Sequence, residues 1–149
     1  MEYLANGYAG RVWYEAGNVV TTTYDGLGQV GSISDLTGEK AEFTYDDNGN
    51  PTTALHRIPD RDDPWSTVRM RYDEMDRLVA QQVDDDAPES FFYDALGGVN
   101  SHHRASGGQL QLLHDALGRP MGQSLVAVDD EDGSAARILR RFEYDDAYR

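Results

Sequence analysis

The sequence predicts an all-β fold, an antiparallel meander of β-hairpins built from one repeated unit. Three observations predict it. First, the dipeptide Tyr-Asp recurs at Tyr24-Asp25, Tyr45-Asp46, Tyr72-Asp73, Tyr93-Asp94 and Tyr144-Asp145, with His114-Asp115 in a sixth equivalent place. The successive spacings are 21, 27, 21, 21 and 30 residues, whereas random order of 9 Tyr and 19 Asp in 149 residues would give about one such pair. Second, Gly28, Gly49, Gly97 and Gly118 each stand three residues after the Asp, with Asp76 in that place after Asp73. Third, the segments before each pair alternate apolar and polar with period 2, the mark of a half-buried strand.

The units follow one pattern along the chain. A worn first copy is read near Asn6, in Asn6-Gly-Tyr-Ala-Gly-Arg11. In the units that follow, an apolar residue or Thr stands two before the Tyr or His: Thr22, Phe43, Met70, Phe91, Leu112 and Phe142. Asp at i with Gly at i+3 is the chemistry of a type I turn, the carboxylate accepting nearby N–H groups and the Gly taking positive φ. Such a turn closes a hairpin with a bulge. Asp25–Gly28, Asp46–Gly49, Asp94–Gly97 and Asp115–Gly118 fit this scheme. Asp73–Asp76 fits less well, since Asp enters positive φ only moderately often. Ala41, Phe43 and Tyr45 share one strand face, as do Val68, Met70 and Tyr72, then Leu110, Leu112 and His114, then Ile138, Phe142 and Tyr144. Second turns are expected at Asp35–Gly38, Asp84–Pro88 and Ser106–Gln109, with longer hairpin tips at 56–64 and 129–136. The whole chain, 1–149, reads as one repeat segment, and no stretch has the i, i+3, i+4, i+7 period of a sizeable helix.

Composition sets the functional bounds. The chain carries 13 Lys+Arg against 27 Asp+Glu, a net charge of −14. That balance argues against a sequence-independent nucleic-acid binder, which needs cations for phosphates, and against docking on an anionic membrane. There are no cysteines, so disulfide frameworks and Cys-based zinc sites are excluded. No apolar run reaches the ~20 residues of a membrane-spanning helix, and the N-terminus lacks the order of a signal peptide.

Motifs that carry chemistry elsewhere have plainer readings here. Gly26-Leu-Gly28-Gln-Val-Gly31 matches G-x-G-x-x-G, but a dinucleotide loop must open a helix, and these glycines coincide with a repeat turn. Asp129–Gly133 resembles part of a calcium loop, yet aligning its Gly puts Val128 and Leu139 where oxygen ligands belong. Asp60, Asp62 and Asp63, like Asp84–Asp86, read as solvated hairpin tips that discourage edge association. His102 and His103 are adjacent, so in a strand they face opposite ways. His114 reads as a flat ring in a tyrosine slot. Ser101 and Ser124 lack a nucleophile elbow, and abundant carboxylates make no single pair diagnostic of a glycosidase. We therefore expect no catalytic residue, no metal and no cofactor. The repeat tyrosines are expected to stack on neighbouring hairpins at ~0.2–1 kcal/mol per pair. Trp13, Tyr14, Trp65, Phe92 and Tyr148 are the candidates for a sugar-stacking surface.

The unit Tyr-Asp-x-x-Gly-(Arg/Asn/Gln)-(Leu/Val/Pro) resembles the YD repeat of the Rhs family, shared with the B and C components of insecticidal toxin complexes and with teneurins. The resemblance runs from Tyr24 to Arg149. It implies a hairpin sheet that winds into a hollow shell, enclosing a C-terminal toxin until delivery by a type VI apparatus or a toxin complex. The chain lacks the Asp-Pro-x-Gly core motif and any toxin after it, so it reads as a fragment of the array with neighbouring YD repeats of a longer parent as partners. The resemblance places the parent outside the cell or on its surface. The residues carried over are structural: Tyr24, Asp25, Gly28, Tyr45, Asp46, Gly49, Tyr72, Asp73, Tyr93, Asp94, Gly97, His114, Asp115, Gly118, Tyr144 and Asp145. A carbohydrate- or cell-surface-binding module is the alternative role, with glycans as its partners.

Overall fold

The computed structural model describes residues 1–5, 7–14, 17, 19–38, 40–58, 62–126 and 136–143. It divides into two compact units, Met1–Asp76 and Arg77–Arg149. The first holds β1 (Glu2–Tyr3), β2 (Ala9–Trp13), β3 (Val19–Tyr24), β4 (Val30–Ser34), β5 (Lys40–Tyr45), β6 (Pro51–Arg57) and β7 (Trp65–Tyr72). The second holds β8 (Leu78–Val83), β9 (Glu89–Tyr93), β10 (Val99–His103), β11 (Gln109–His114), β12 (Pro120–Val126) and β13 (Ala136–Arg141). Within each unit the strands lie in chain order, each antiparallel to the next. Among the described residues there is no helix. The all-β hairpin meander is the fold the repeat predicts.

One irregularity recurs at five of the repeat turns. Tyr24 pairs with Val30 while Thr23 pairs with Ser32, so one residue of β4 is left over. The same slip occurs at Tyr3, Tyr45, Tyr93 and His114. A repeated bulge of this kind increases local right-handed twist.

The two faces differ. In the first unit Val20, Tyr24, Ala41, Phe43, Tyr45, Ala54, Val68, Met70 and Tyr72 alternate onto one face and are half-buried. Thr23, Thr44, Trp65, Arg69 and Arg71 occupy the other and are exposed. Only Ala80, 4% exposed, and Ser66, 2% exposed, have buried side chains among the described residues. The apolar face is thus sheltered by its own neighbours rather than by a second layer, and stabilisation comes from lateral contact between consecutive hairpins.

Candidate functional site

The Tyr-Asp turns form the site that the sequence singles out. In four of them the Asp carboxylate accepts two backbone N–H groups at 2.8–3.0 Å. For Asp25 the donors are Leu27 and Gln29, for Asp46 Asn48 and Asn50. Leu96 and Gly98 donate to Asp94, and Leu117 and Arg119 to Asp115. Asp73 accepts Met75 N–H at 2.9 Å. The backbone closes around each carboxylate: Gly28, Gly49, Gly97 and Gly118 donate to the carbonyls of Asp25, Asp46, Asp94 and Asp115 at 2.9–3.2 Å. These glycines have φ of 77–89°, where a Cβ is costly. Asp76 takes the same place with φ 58°. Tyr144 and Asp145 lie outside the described residues, as do Asn6, Asp60, Tyr148 and the tip residues 59–61 and 129–135.

A further turn of this kind sits at the N-terminus. Leu4 N–H donates to Tyr8 C=O at 2.8 Å and Gly7 N–H to Leu4 C=O at 2.9 Å, with Gly7 at φ 85°. Tyr3 stands 21 residues before Tyr24, so this copy keeps the Tyr and Gly positions and has Leu4 where the Asp belongs. The second turns follow Asp35–Gly38, where Gly38 N–H donates to Asp35 C=O, and Val83–Asp86, where Asp84 has φ 49°. The turn expected at Ser106–Gln109 instead closes two residues earlier, with Gly107 N–H donating to Arg104 C=O at 2.9 Å. Of the two adjacent glycines, Gly107 takes the positive φ.

The tyrosines make a contact beyond the stacking expected of them. A ring-on-ring ladder is absent from the repeat positions among the described residues; Tyr24 stacks on Tyr8, at 4.9 Å. Instead, each hydroxyl donates to a carbonyl 15 residues earlier, on the preceding hairpin: Tyr24 to Ala9 at 3.1 Å, Tyr45 to Val30 at 3.0 Å and Tyr93 to Leu78 at 2.6 Å. Tyr72 is the exception, meeting Met70 Sδ at 3.7 Å. Burial, then the Asp46 carboxylate, pushes its phenol above the ordinary value. His114 is too short to span to a carbonyl, and its Nδ1 lies 3.2 Å from Asp94 Oδ2. Gly98 makes that approach possible. A Cβ there would lie 3.0 Å from Asp94 Oδ2 and 3.4 Å from His114 Cε1.

A second set of lateral contacts was invisible in the sequence. In the copies at Tyr3, Tyr24, Tyr45 and Tyr72 the residue five after the Tyr reaches the next repeat. The Tyr8 hydroxyl covers Gly28, and Gln29 Nε2 covers Gly49. Asn50 Nδ2 donates to Asp76 Oδ1 at 2.7 Å, joined by Asn48 Nδ2 at 2.9 Å. The Arg77 guanidinium sits 4.5 Å over the Tyr93 ring, a cation–π contact. The recurrence of a polar residue at this position was the only available signal. These bonds set the acid–base state of the turns. Backbone donation from Asn50 holds Asp46 below its ordinary pKa of 3.8 against a burial effect, with the Asn50 side chain and Asn48 N–H assisting. Donation from Arg119 does the same for Asp115.

The remaining candidates are placed as follows. His102 Nε2 lies 3.1 Å from Glu89 Oε2 and its ring stacks on Phe91 at 4.5 Å, while His103 tilts against Phe92 on the other face. Burial raises Glu89, yet hydrogen bonds from Gln81 and His102 hold it below its ordinary range. Gly26, Gly28 and Gly31 belong to the β3–β4 hairpin, and strand β4 follows where a dinucleotide loop would need a helix. Among the described residues no three His, Asp or Glu side chains converge as metal ligands. No helix among the described residues is long and apolar enough to cross a membrane. An open hollow of about 320 Å³ lies over Ala41, between Val20, Ile33 and His56. Trp13 and Trp65 are 50% and 40% exposed, but β2 and β7 are five strand steps apart, about 24 Å along the sheet, so they make no common platform.

No family model matches the chain. Its fold is similar to a stretch of TcdB2-TccC3, solved by crystallography without its hypervariable C-terminal region: 96% of this chain matches, with a TM-score of 0.71 and 14% identity, and covers 8% of that chain. The Photorhabdus luminescens Tc holotoxin pore matches over 83% of this chain with a TM-score of 0.52 and 14% identity, covering 9% of that chain. The chain therefore spans less than a tenth of these two solved chains. The fold likeness agrees with the YD-repeat resemblance carried by the Tyr-Asp unit.

Proposed function

We propose that the chain is a non-catalytic wall segment of an Rhs/YD-type shell that encloses a C-terminal toxin for delivery by a bacterial secretion or toxin-complex system. The observation that carries this reading is the repeated Tyr-Asp turn geometry on a fold similar, over nearly the whole chain, to a stretch of TcdB2-TccC3. The segment contributes containment. Its turns are closed by carboxylates and its hairpins tied to one another by hydroxyl–carbonyl bonds, so local opening must break contacts to both neighbours. Neighbouring repeats of a longer parent chain are its partners, and the enclosed toxin faces the wall. The parent acts outside the cell or at its surface, through a type VI apparatus or a toxin complex. A net charge of −14 favours retention of a cationic cargo.

The test is electron microscopy of the full reading frame containing this segment, with protease protection of whatever domain follows it. A closed hollow particle with a protected C-terminal domain is expected, and Asp94→Ala within the segment should speed cleavage of that domain. A particle without a lumen, or a C-terminal domain cleaved at its free rate, overturns the reading. Glycan recognition, the alternative, has Trp13 and Trp65 as its probes. Binding on a glycan array that is lost in Trp65→Ala would favour it instead.

A further inference from the structure

The third residue after each repeat Tyr lies at the tip of the turn. It is Leu27, Met75, Leu96 and Leu117 in four of the five turns from Asp25 to Asp115, with Asn48 in the other. All four apolar side chains project into solvent, at 82%, 71%, 64% and 74% exposure. Isolated exposed apolar residues are ordinary, but recurrence at one position of one edge is patterned. Nothing in the turn requires it, because the carboxylate and the Gly close the bend.

The edge of the first unit adds charge. Asp25, Asp47, Glu74 and Asp76 are exposed around Leu27 and Met75; residues 25–29 and 46–50 contain no Lys or Arg, and the one cation of residues 73–77 is Arg77, whose guanidinium lies over the Tyr93 ring. In the second unit the matching carboxylates each meet a basic side chain, Asp94 His114 at 3.2 Å and Asp115 Arg119 at 2.6 Å. Leu27 and Met75 stand on turns four strands apart, about 19 Å. That is the length of six residues of extended chain at about 3.3 Å each.

We propose that the Tyr-Asp turn edge of the first unit docks a basic, extended segment carrying two apolar side chains six residues apart. The apolar anchors would cover Leu27 and Met75, and intervening Lys or Arg would face the carboxylates. Charge complementarity selects this occupant. A second copy of the same edge would set carboxylate against carboxylate.

The test uses the full chain and a fluorescein-labelled peptide, Leu-Lys-Lys-Ser-Lys-Lys-Leu, titrated by anisotropy at about 50 mM salt. The peptide should bind, and replacing both of its Leu by Ser should weaken it. Leu27→Ser and Met75→Ser should each weaken binding about fivefold with an unchanged far-ultraviolet circular dichroism spectrum. The double variant Asp47→Asn, Glu74→Gln should flatten the salt dependence. Equal binding by the Ser-ended peptide, no effect of Leu27→Ser and Met75→Ser, or no binding at all overturns the proposal. So does concentration-dependent dimerisation that the same two substitutions abolish, which would assign the edge to a second copy.

Discussion

At the scale of single residues, the aspartate of each turn is the part whose removal has the clearest cost. Asp94 accepts the N–H groups of Leu96 and Gly98 and faces His114. Alanine there strands two backbone donors and a ring, a loss of the kind seen when a helix cap is removed. Asp94→Ala should destabilise by about 1–2 kcal/mol. Asp25 has the two N–H contacts but no histidine, so Asp25→Ala should cost less. Urea denaturation of the two variants checks the order. Asp76 carries two opposed effects. Its φ of 58° costs about 1 kcal/mol relative to Gly, while its carboxylate takes amide donors from Asn48 and Asn50. Asp76→Gly should therefore leave the denaturation midpoint nearly unchanged, whereas Asp76→Ala, which keeps the strain and loses the amides, should lower it. The Asp and Gly positions were legible in the sequence because turn chemistry is local, and four residues decide it. The Asn48 and Asn50 clamp was not legible, since it joins residues 26 and 28 apart whose proximity depends on strand register.

At the scale of the hairpin, period-2 alternation was enough to place the strands ahead of Tyr45, Tyr72 and His114 and the face that bears those rings, while the segments after each turn alternate less cleanly and follow from the turns. What alternation does not encode is the contact between one hairpin and the next. The sequence suggested tyrosines stacked on the equivalent ring or apolar residue of a neighbouring hairpin, and the structure adds hydroxyl–carbonyl bonds at a constant separation of 15 residues. A fixed 15 within a 21-residue period is a signal, but only once the antiparallel register is known. The second turn at Arg104–Gly107 was misplaced for a related reason. Gly107 and Gly108 are equally permissive, and the pairing of His103 with Gln109 selects between them. These contacts make a differential prediction. Tyr93→Phe removes a 2.6 Å bond to Leu78 C=O and should cost about 0.5–1.5 kcal/mol. Tyr72→Phe removes only a 3.7 Å contact to Met70 Sδ and should cost much less. Thermal melts of the two phenylalanine variants measure the difference. Equal losses would mean that ring burial, not the hydroxyl, holds the hairpins together.

At the scale of the whole molecule, a fold with almost no buried side chains among its described residues draws its stability from repeated local bonds, so conditions that weaken the repeat act on every unit at once. Acid is such a condition. Asp46, Asp115 and Glu89 are all held below their ordinary values, Asp46 and Asp115 by backbone donors and Glu89 by Gln81 and His102 acting against burial. A carboxyl group with a lowered native pKa contributes stability that is fully present above its unfolded value. That contribution disappears as pH falls through the native one. The melting temperature should therefore hold steady down to about pH 5 and fall below about pH 4. Asp46→Asn should reduce the slope in that window while keeping one acceptor for the turn. A melting temperature that declines between pH 7 and pH 5 would point to groups other than these carboxylates.

The same architecture fixes how stability should scale. Each hairpin touches only its two neighbours, so the free energy of a repeat array is a sum of unit terms and nearest-neighbour terms. In any such array, a unit without a neighbour on one side lacks one set of lateral bonds. In the described portion of the first unit, the copy at Tyr3 also has Leu4 in place of the closing aspartate. Such a chain should melt broadly, from its ends inward. Fusing one further consensus hairpin, with Tyr-Asp-x-x-Gly at its bend, supplies a neighbour term that the end lacks. Each added hairpin should raise the melting temperature and sharpen the transition, by decreasing increments as ends become a smaller share of the array. Scanning calorimetry of a series with zero, one and two added hairpins measures this. A melt of the chain alone that is already sharp, with no gain on extension, would show that its cohesion does not come from hairpin-to-hairpin contacts.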